Sequence, residues 1–306
     1  MGHAQPRRFK TISEFHRFRN LPMPEHPLIS VVNVEAMRVL GNDDPAGMVF
    51  DFYVIALKRT PNAKMRYGQQ EYDFDEGILV FMAPGQVLRI ELLEDAEIIH
   101  TGWLLYIHPD FFWHTSLANT IKKYDFFDYS VNEALFLSEK EEAIISGILQ
   151  NIRQEYHTNI DNYSHNIIIA QLELLLSYSE RFYQRQFITR KITNHTILSR
   201  LETIIDGYFN DNELSGKGLP TVTYIARSLN ISPGYLSGLL KVLTGKSTQQ
   251  HIHDKLIEKA KEKLSTTGLS VSEIAYELGF EHPQSFSKLF KTKTSLSPLK
   301  FRQSFS

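Results

Sequence analysis

The side chains with the clearest chemistry lie in two short segments near the C-terminus. Lys241 belongs to the first segment, and Gln284, Lys288 and Lys291 belong to the second. A glutamine amide can pair with adenine, and a lysine ammonium can bind the acceptor atoms of guanine or a backbone phosphate. These residue types would suit contact with DNA if the surrounding elements hold them on an exposed face. Taken singly, a lysine is more often only a solvated surface charge.

The two segments are copies of one pattern. Ile225-Ala226 recurs 49 residues later as Ile274-Ala275, and Leu236-Ser237 recurs 50 residues later as Phe286-Ser287. In both copies a short helix carries Ile-Ala, a turn of about four residues follows, and a second helix has apolar residues at i, i+3 and i+4. A small alanine lets the second helix cross the first closely. The repeat therefore predicts two helix-turn-helix units.

Capping residues mark where these helices begin. Thr221 and Ser232-Pro233 have the residue types that start the two helices of the first unit. Ser270 and Glu273 have the spacing of a capping box at the start of the second unit. The helix boundaries of both units are therefore predicted as well as the helices themselves.

A longer helix is predicted between the two units, from about Thr248 to Ser265. Its apolar residues recur every four positions and form one stripe that faces the core: Ile252, Leu256, Ala260 and Leu264. A rigid helix of this kind would set the two recognition helices in successive major grooves on one face of DNA, roughly 34 Å apart.

The stretch from about Pro220 to Arg302, and more loosely from Ile197, resembles the DNA-binding domain of AraC/XylS transcription regulators. The second unit matches the family more densely than the first. The matching segments are Ile225-Ala226, Leu229, Ile231-Ser232-Pro233, Tyr235-Leu236-Ser237, Thr244-Gly245, Ala260, Leu264, Ile274-Ala275, Leu278-Gly279-Phe280, Ser285-Phe286-Ser287, Leu289-Phe290-Lys291, Ser297-Pro298 and Phe301-Arg302.

The resemblance implies that base-reading side chains stand early in each recognition helix. In this chain those side chains are Tyr235, Ser237, Gln284, Ser285 and Lys288. Phosphate contacts are expected from lysines further along the recognition helices and in the connecting helix. These are Lys241, Lys255 and Lys291.

Three positions depart from the family pattern. Gly234 and Gly238 lie on the predicted exposed face of the first recognition helix, where family members often carry larger polar or basic side chains. That helix is expected to read fewer bases, and each interior glycine costs about 1 kcal/mol of helix propensity relative to alanine. Ser295 replaces the glycine that usually follows the second recognition helix, so we expect this helix to end differently.

Charge divides the chain near Gln186. Residues 1–186 contain 17 Lys and Arg against 25 Asp and Glu, a formal charge of −8, whereas residues 187–306 contain 16 against 10, a charge of +6. Only the second part has the sign that suits a polyanion. The absence of cysteine and a hydrophobic content of 42% predict a globular protein without disulfides or thiolate metal ligands. We find no apolar run of the length of a signal peptide or membrane span, which predicts a cytoplasmic protein.

The first part of the chain favours strands. Runs rich in β-branched and aromatic residues alternate with turn signals, as is typical of an antiparallel barrel or sandwich. The predicted strands are Leu28 to Val34, Met48 to Leu57, Gly77 to Met82, Val87 to Leu92 and Ile98 to Ile107. The family resemblance implies a cupin-like barrel that binds a small effector. Four aromatic residues could line such a pocket, namely Phe52, Tyr53, Trp103 and Tyr106. Aromatic residues in strands are more often ordinary core.

Two helices are predicted after the strands. Ser138 opens the first with capping-box spacing, and the second runs from about Tyr163 to Arg185. Each helix carries one stripe of mainly apolar residues. The first stripe is Ile145, Leu149, Ile152 and Tyr156, and the second is Ile168, Leu172, Leu175, Ser179 and Phe182. Packing on the β-domain and a dimer interface explain such stripes equally well, because roughly three heptads are too few to force a coiled coil.

The predicted fold is therefore multi-domain. An N-terminal all-β cupin-like barrel with trailing dimerisation helices precedes a C-terminal all-α domain of two helix-turn-helix units. The predicted boundaries are 1–135 for the effector-sensing domain, 136–186 for the dimerisation helices, 187–196 for a linker and 197–306 for the DNA-binding domain.

These features predict a sequence-specific DNA-binding transcription regulator, controlled by a small effector, and not an enzyme. Two alternatives stay open, namely a β-domain that only dimerises and a cupin-type metal enzyme with a DNA-binding tail. His100, His108 and His114 lack the His-x-His pair with a downstream Glu that cupin metal sites use. His251 and His253 lie two residues apart in a predicted helix and point to different faces.

No catalytic residue, metal or other cofactor is predicted. The expected partners are double-stranded DNA, RNA polymerase, a small-molecule effector and a second copy of the chain, but no membrane.

Overall fold

The computed structural model describes residues 6–37, 47–59, 64–67, 70–73, 77–89, 101–129, 133–157, 161, 163–189, 191–210 and 218–304. The chain divides into two compact units, residues 1–186 and 187–306. The change in the sign of the charge falls at the same boundary.

The first unit is built mainly on β-sheets. A five-stranded antiparallel sheet has the order β10-β7-β4-β9-β2, a three-stranded sheet has the order β1-β3-β8, and β5 and β6 form a hairpin. The strands are Arg7–Phe9 (β1), Ile29–Asn33 (β2), Gly47–Phe50 (β3), Tyr53–Arg59 (β4), Lys64–Tyr67 (β5), Gln70–Asp73 (β6), Gly77–Met82 (β7), Val87–Arg89 (β8), Thr101–Ile107 (β9) and Leu135–Leu137 (β10). Sequence patterning predicted β2, β3, β4, β7, β8 and β9.

One predicted strand is divided in two. The run from Met48 to Leu57 bends at Asp51-Phe52, so that β3 pairs with β1 and β8 while β4 pairs with β7 and β9. The run is almost continuously apolar because both halves are buried, and the pattern therefore hides the bend. Residues 90–92 and 98–100 at the ends of two other predicted strands lie outside the described residues.

A core of aromatic and aliphatic side chains joins the two larger sheets to helix α1, Ile12–Phe18. Phe15 of this helix contacts Phe9 of β1 and Phe50 of β3, each at a ring-centroid distance of 5.2 Å. Phe15 also contacts Tyr106 of β9 at 5.2 Å. Strand β1 and helix α1 were not predicted, since three strand residues and about two helical turns are too short to show a period.

Both predicted stripes after the strands pack inside the first unit. Helix α2, Leu117–Thr120, is a single turn. Helix α3, Glu139–His157, lies against β2, β4 and β9, and the Tyr156 hydroxyl accepts a hydrogen bond from the Val31 backbone N–H at 2.7 Å. In helix α4, Ser164–Thr189, the buried Ser179 hydroxyl donates to the Leu175 carbonyl at 2.7 Å. The remaining stripe residues are at most 5% exposed. Of the two explanations, packing on the β-domain accounts for these residues, and they are not free to form a dimer interface.

The prediction of a linker at residues 187–196 is wrong. Helix α4 continues to Thr189, and helix α5 spans Lys191–Asn210. The segment is polar, but residues 187–196 contain neither proline nor glycine. Nothing in the local sequence therefore interrupts a helix, although these ten mainly polar residues show no clear period.

The second unit contains the predicted repeat. Among the described helices of the chain, none is both long and apolar enough to cross a membrane. The first helix-turn-helix is α6 and α7, α8 connects the units, and α9 and α10 form the second. The bounds are Val222–Leu229 (α6), Pro233–Thr244 (α7), Thr248–Thr266 (α8), Val271–Glu277 (α9), Pro283–Thr294 (α10) and Pro298–Gln303 (α11).

The predicted caps and the predicted small residues have the expected geometry. The Thr221 and Ser232 hydroxyls accept from the backbone N–H groups three residues on, and Ser270 forms a complete capping box with Glu273. Ala226 and Ala275 are fully buried, which allows the close crossing within each unit. A single hydrophobic cluster contains residues of α5 to α10, so the two helix-turn-helix units share one core.

Ser295 closes α10 in the same way as glycine closes α7. Its φ of 63° and ψ of −1° match the φ of 71° and ψ of 2° of Gly245 after α7, and each N–H donates to the carbonyl four residues earlier. The expectation of a different helix end is wrong. The hydrogen bond to the last turn fixes the left-handed conformation, and serine adopts it at a cost of about 1 kcal/mol.

Ser295→Gly is therefore expected to stabilise the protein by about 1 kcal/mol, because glycine reaches positive φ without the Cβ penalty. Scanning calorimetry of the full chain measures the gain as a rise in Tm. The matched control is Ser304→Gly, since Ser304 also follows a helix but has an ordinary φ of −76°. An equal change in Tm for both variants would contradict the assignment of strain to Ser295.

Candidate nucleic-acid interface

The second recognition helix, α10, presents a polar face. Phe286 and Phe290 are fully buried, with ring centroids 5.8 Å apart, and they anchor the opposite side of the helix in the core. Gln284, Lys288 and Lys291 follow one another at steps of four and three on the outer side, and all three are exposed. Within the described part of the chain, none of these three side chains forms an ion pair or a hydrogen bond. Their polar ends are therefore available to a ligand.

The turn before α10 is fixed by backbone geometry. Gly279 has a φ of 85°, and a Cβ built there would lie 2.9 Å from the Gly218 carbonyl oxygen. In the first helix-turn-helix unit, Asn230 takes the corresponding left-handed position with a φ of 59°. In both turns the N–H of the following residue donates to the carbonyl of the buried alanine at 3.0 Å. The two turns thus orient their recognition helices by the same hydrogen bonding.

Tyr235 does not have the exposure that base contact requires. Its side chain is only 8% exposed, and its ring packs against Phe187 with a centroid distance of 5.0 Å. The prediction of an exposed Tyr235 is wrong because Phe187 lies outside the repeated motif and widens the buried face of α7. No spacing within the motif reveals this contact.

The remaining candidates in α7 differ from one another. Ser237 is half-buried, and its hydroxyl lies 3.4 Å from the Thr248 hydroxyl of α8. Lys241 is exposed and, among the described residues, has no ion-pair partner. The first recognition helix therefore offers the Lys241 ammonium and the Ser237 hydroxyl, which already has Thr248 beside it. Helix α10 offers the larger polar surface.

Lys255 is held by carboxylates of its own domain. Its Nζ lies 2.8 Å from Asp206 of α5 and 3.0 Å from Glu258 of α8. Hydrogen bonds to Asp206 and then to Glu258 raise the pKa of the Lys255 ammonium above its ordinary value. Because the charge is already neutralised twice, the structure does not support Lys255 as a phosphate contact.

Comparison with known proteins places the repeat in a family. A family model described as a helix-turn-helix domain matches residues 225–304, from α6 to the end of α11. An uncharacterised HTH-type transcriptional regulator of Pseudoalteromonas carrageenovora is 33% identical over 116 residues, 38% of this chain and 64% of that protein. The arabinose operon regulatory protein of Salmonella typhimurium is 24% identical over 262 residues, 85% of this chain and 86% of that protein. The C-terminal domain is an AraC-type helix-turn-helix domain.

A second uncharacterised HTH-type regulator, YfiF of Bacillus subtilis, is 33% identical over 143 residues, 47% of this chain and 42% of that protein. The chain thus spans less than two thirds of the length of the Pseudoalteromonas and Bacillus relatives. The family model matches residues 225–304, all within the second unit, so it supports the family of that domain and leaves the N-terminal unit to its own geometry.

The two histidines in the connecting helix of the AraC-type domain serve its packing. The His251 Nε2 lies 2.9 Å from the Thr244 hydroxyl at the end of α7. Burial lowers the pKa of both His251 and His253, and the positive charge of Lys293 lowers that of His253 further. Within the described ranges, no group of three or more His, Asp or Glu side chains could hold a metal ion. His100 lies outside the described residues.

The four aromatic residues proposed for an effector pocket do not come together. Phe52 and Tyr106 are 0% and 2% exposed, and their rings contact each other at 5.7 Å within the core of the first unit. Tyr53 packs instead against Phe112 and Phe127. The fourth residue, Trp103, is half-buried beneath the Arg153 guanidinium at 5.6 Å. Three of the four fill the protein interior, as aromatics in strands commonly do.

A cleft in the first unit lies elsewhere, between residues 21–36 and α3. Its volume is about 150 Å³, and its lining includes the buried His16, Ser30 and Tyr156 and the exposed Arg153. The His16 Nδ1 donates to the Pro22 carbonyl at 2.5 Å, and its Nε2 lies 3.1 Å from the Ser30 hydroxyl. Burial lowers the pKa of His16. Sequence analysis missed this cleft, because its residues are separated by more than 100 positions and carry no common motif.

Proposed function

We propose that the protein is a sequence-specific DNA-binding transcription regulator whose AraC-type domain reads two adjacent major-groove segments of double-stranded DNA. The observation that carries this proposal is the free polar face of α10, where Gln284, Ser285 and Lys288 are exposed above a buried aromatic anchor. Glutamine and lysine have the donor and acceptor geometry that reads adenine and guanine in the major groove. Lys241 and Lys291 add positive charge for phosphates.

The two units make unequal contributions in this proposal. The second unit supplies direct base contacts through α10. The first helix-turn-helix unit supplies Lys241. Because Gly234 and Gly238 have no side chains, the backbone of α7 can approach the DNA closely at these positions. RNA polymerase contact and control of transcription follow from this proposal as further expectations.

Selection from a pool of random duplexes tests the proposal with the full chain. The duplexes recovered are compared with scrambled duplexes of the same composition by fluorescence anisotropy at one fixed salt concentration. A sequence-specific regulator is expected to bind the selected site about a thousandfold more tightly than the scrambled one. Equal affinity for both duplexes, with only a salt-dependent attraction, would show that the protein binds DNA without reading it.

We further propose that a small effector binds in the cleft between residues 21–36 and α3. Arg153 lies at this cleft and, in the described part of the protein, pairs with no carboxylate. It is available to an anionic or hydroxyl group of a ligand. Screening small molecules by thermal shift is expected to find a ligand that stabilises the full chain, with the stabilisation lost in Arg153→Ala. Stabilisation that survives this substitution would place the effector elsewhere.

A homodimer is also proposed, through a face of α4 different from the buried stripe. Tyr163, directly before α4, and Ile167 and Leu174 within it are 71%, 43% and 44% exposed, and the three recur at helical spacing along one side. Ile167 and Leu174 lie at equal distances on either side of Ala170-Gln171. An antiparallel two-fold pairing centred there would set Ile167 against Leu174 of the second copy, and the reverse. The exposed face is therefore self-complementary.

Leu174→Asp is expected to weaken dimerisation at least about a hundredfold, because the symmetry buries the new carboxylate twice against isoleucine. Light scattering during gel filtration measures the change as a shift from dimer to monomer. Gln184→Asp is the matched control, since Gln184 is an exposed residue of the same helix outside the stripe. A dimer that persists in Leu174→Asp would contradict the proposed interface.

A further inference from the structure

One carboxylate joins the ends of the two recognition helices. Asp254, in the second turn of α8, has its Oδ2 at 2.7 Å from the Lys246 Nζ and its Oδ1 at 3.0 Å from the Lys293 Nζ. Lys246 lies two residues after α7, and Lys293 lies in the last turn of α10. The two oxygens of a single side chain therefore hold lysines from different helix-turn-helix units.

The surroundings of Asp254 show that this bridge is held in its ionised form. Burial acts to raise the pKa of Asp254, but the hydrogen bonds from Lys246 and Lys293 outweigh it and hold the pKa below its ordinary value. One turn earlier in α8, His251 contacts Thr244, the last residue of α7. The start of α8 is thus attached to Thr244 at the end of α7, to Lys246 just after that helix, and to Lys293 of α10.

This arrangement resists movement of one recognition helix relative to the other. Moving α10 along or around the DNA by one base pair requires a shift of about 3.4 Å and a rotation of about 35°. A hydrogen bond from an ammonium to a carboxylate does not survive a displacement of that size. A change in the separation of the helices therefore breaks at least one of the two bonds to Asp254.

We propose that Asp254 is a positioning residue that sets the spacing between the two DNA segments that the domain accepts. This inference rests on the proposed function, since it concerns how the two units read one duplex. Asp254 acts through Lys246 and Lys293 and contacts no base. The bridge makes the preference for one spacing sharper than the shared hydrophobic core alone would make it.

The test uses the full chain and the duplex obtained by selection, together with derivatives that have one or two base pairs inserted or deleted between the two contacted segments. Fluorescence anisotropy gives the affinity for each duplex. In Asp254→Asn the penalty for wrong spacing is expected to shrink about three- to tenfold, while the affinity for the parent duplex changes less than about threefold. A merely structural role would instead lower the affinity for every duplex by the same factor.

Two further variants complete the experiment. Replacing both Lys246 and Lys293 with alanine is expected to shrink the spacing penalty to the same extent, and adding Asp254→Asn to that variant is expected to cause no further change. Asp206→Asn is the matched control, because it removes an ion pair of α8 that reaches only α5. It is expected to leave the spacing penalty as in the wild type.

An unchanged spacing penalty in Asp254→Asn would overturn the proposal. It would also be overturned if Asp254→Asn bound all duplexes more tightly, scrambled ones included, with a steeper salt dependence, since the carboxylate would then act by neutralising two lysines. If the wild-type protein has no preferred duplex, the proposed function fails and this inference fails with it. If the wild type prefers one sequence and Asp254→Asn has the same spacing penalty as the wild type, only the role of Asp254 is overturned.

Discussion

The double variant Gln284→Ala, Lys288→Ala is expected to lose at least about a hundredfold of its affinity for the selected duplex. A good bidentate contact to a base is worth about 1–3 kcal/mol of discrimination, and this variant removes two candidates for such contacts. Both side chains are exposed while their neighbour Phe286 is buried, so the substitutions leave the core of the domain intact. The affinity for scrambled duplexes is expected to fall much less, by the loss of one positive charge.

The control for this variant makes the same chemical changes in the N-terminal unit. Gln154→Ala, Lys140→Ala removes one glutamine and one lysine from exposed positions of α3, and it is expected to bind the selected duplex as the wild type does. Lys241→Ala gives a third pattern, a uniform loss on all duplexes with a salt slope lower by about 1. If the α10 double variant keeps its sequence preference, α10 is not the base-reading helix.

Gly102→Ala is expected to destabilise the N-terminal unit by more than about 4 kcal/mol. Gly102 has a φ of 130°, and a Cβ there would lie 2.1 Å from the Leu57 carbonyl oxygen and 3.1 Å from the Lys58 Cα. Both atoms belong to the backbone of β4, which pairs with β9 at this point. No side chain can move aside to relieve the clash, so β4 and its neighbour β9 must separate, and effects of this size are exceptional for a single substitution.

A second glycine separates the clash from the cost of positive φ. Gly85 has a φ of 86°, but a Cβ there meets nothing within 4 Å, and Gly85→Ala is expected to cost only about 1 kcal/mol. Both tryptophans of the chain, Trp103 and Trp113, lie in the N-terminal unit, so tryptophan fluorescence during urea unfolding reports on that unit. Equal unfolding midpoints for the two variants would contradict the close approach of β4 and β9 at Gly102.

The architecture of the AraC-type domain could be predicted from sequence because each of its features is local. The caps at Thr221, Ser232 and Ser270 act within four residues, and the buried alanines recur at fixed places in a repeat. Local rules also have limits here. The Ser247–Gln250 capping box of α8 obeys the same local rule. Residues 187–196, by contrast, show no clear period although they contain no helix breaker, so their pattern predicts neither the end of α4 nor the start of α5.

The candidate site was predictable only where a side chain has no distant partner. Gln284 and Lys288 face solvent, so helical periodicity alone places them correctly. Tyr235 and Lys255 have partners at Phe187 and Asp206, which lie 48 and 49 residues away along the chain. Contacts of that kind arise from tertiary packing and leave no pattern in the local sequence. The bridge between Lys246 and Lys293 through Asp254 has the same origin.

Protection of the selected duplex from dimethyl sulfate distinguishes the two grooves, because the reagent methylates guanine N7 in the major groove and adenine N3 in the minor groove. With the full chain bound, two groups of protected guanines are expected on one face of the duplex, about 10 base pairs apart. Gln284→Ala, Lys288→Ala is expected to lose protection in one of these groups and keep it in the other. A single protected segment, or protection confined to the minor groove, would contradict the account of two units reading adjacent major grooves.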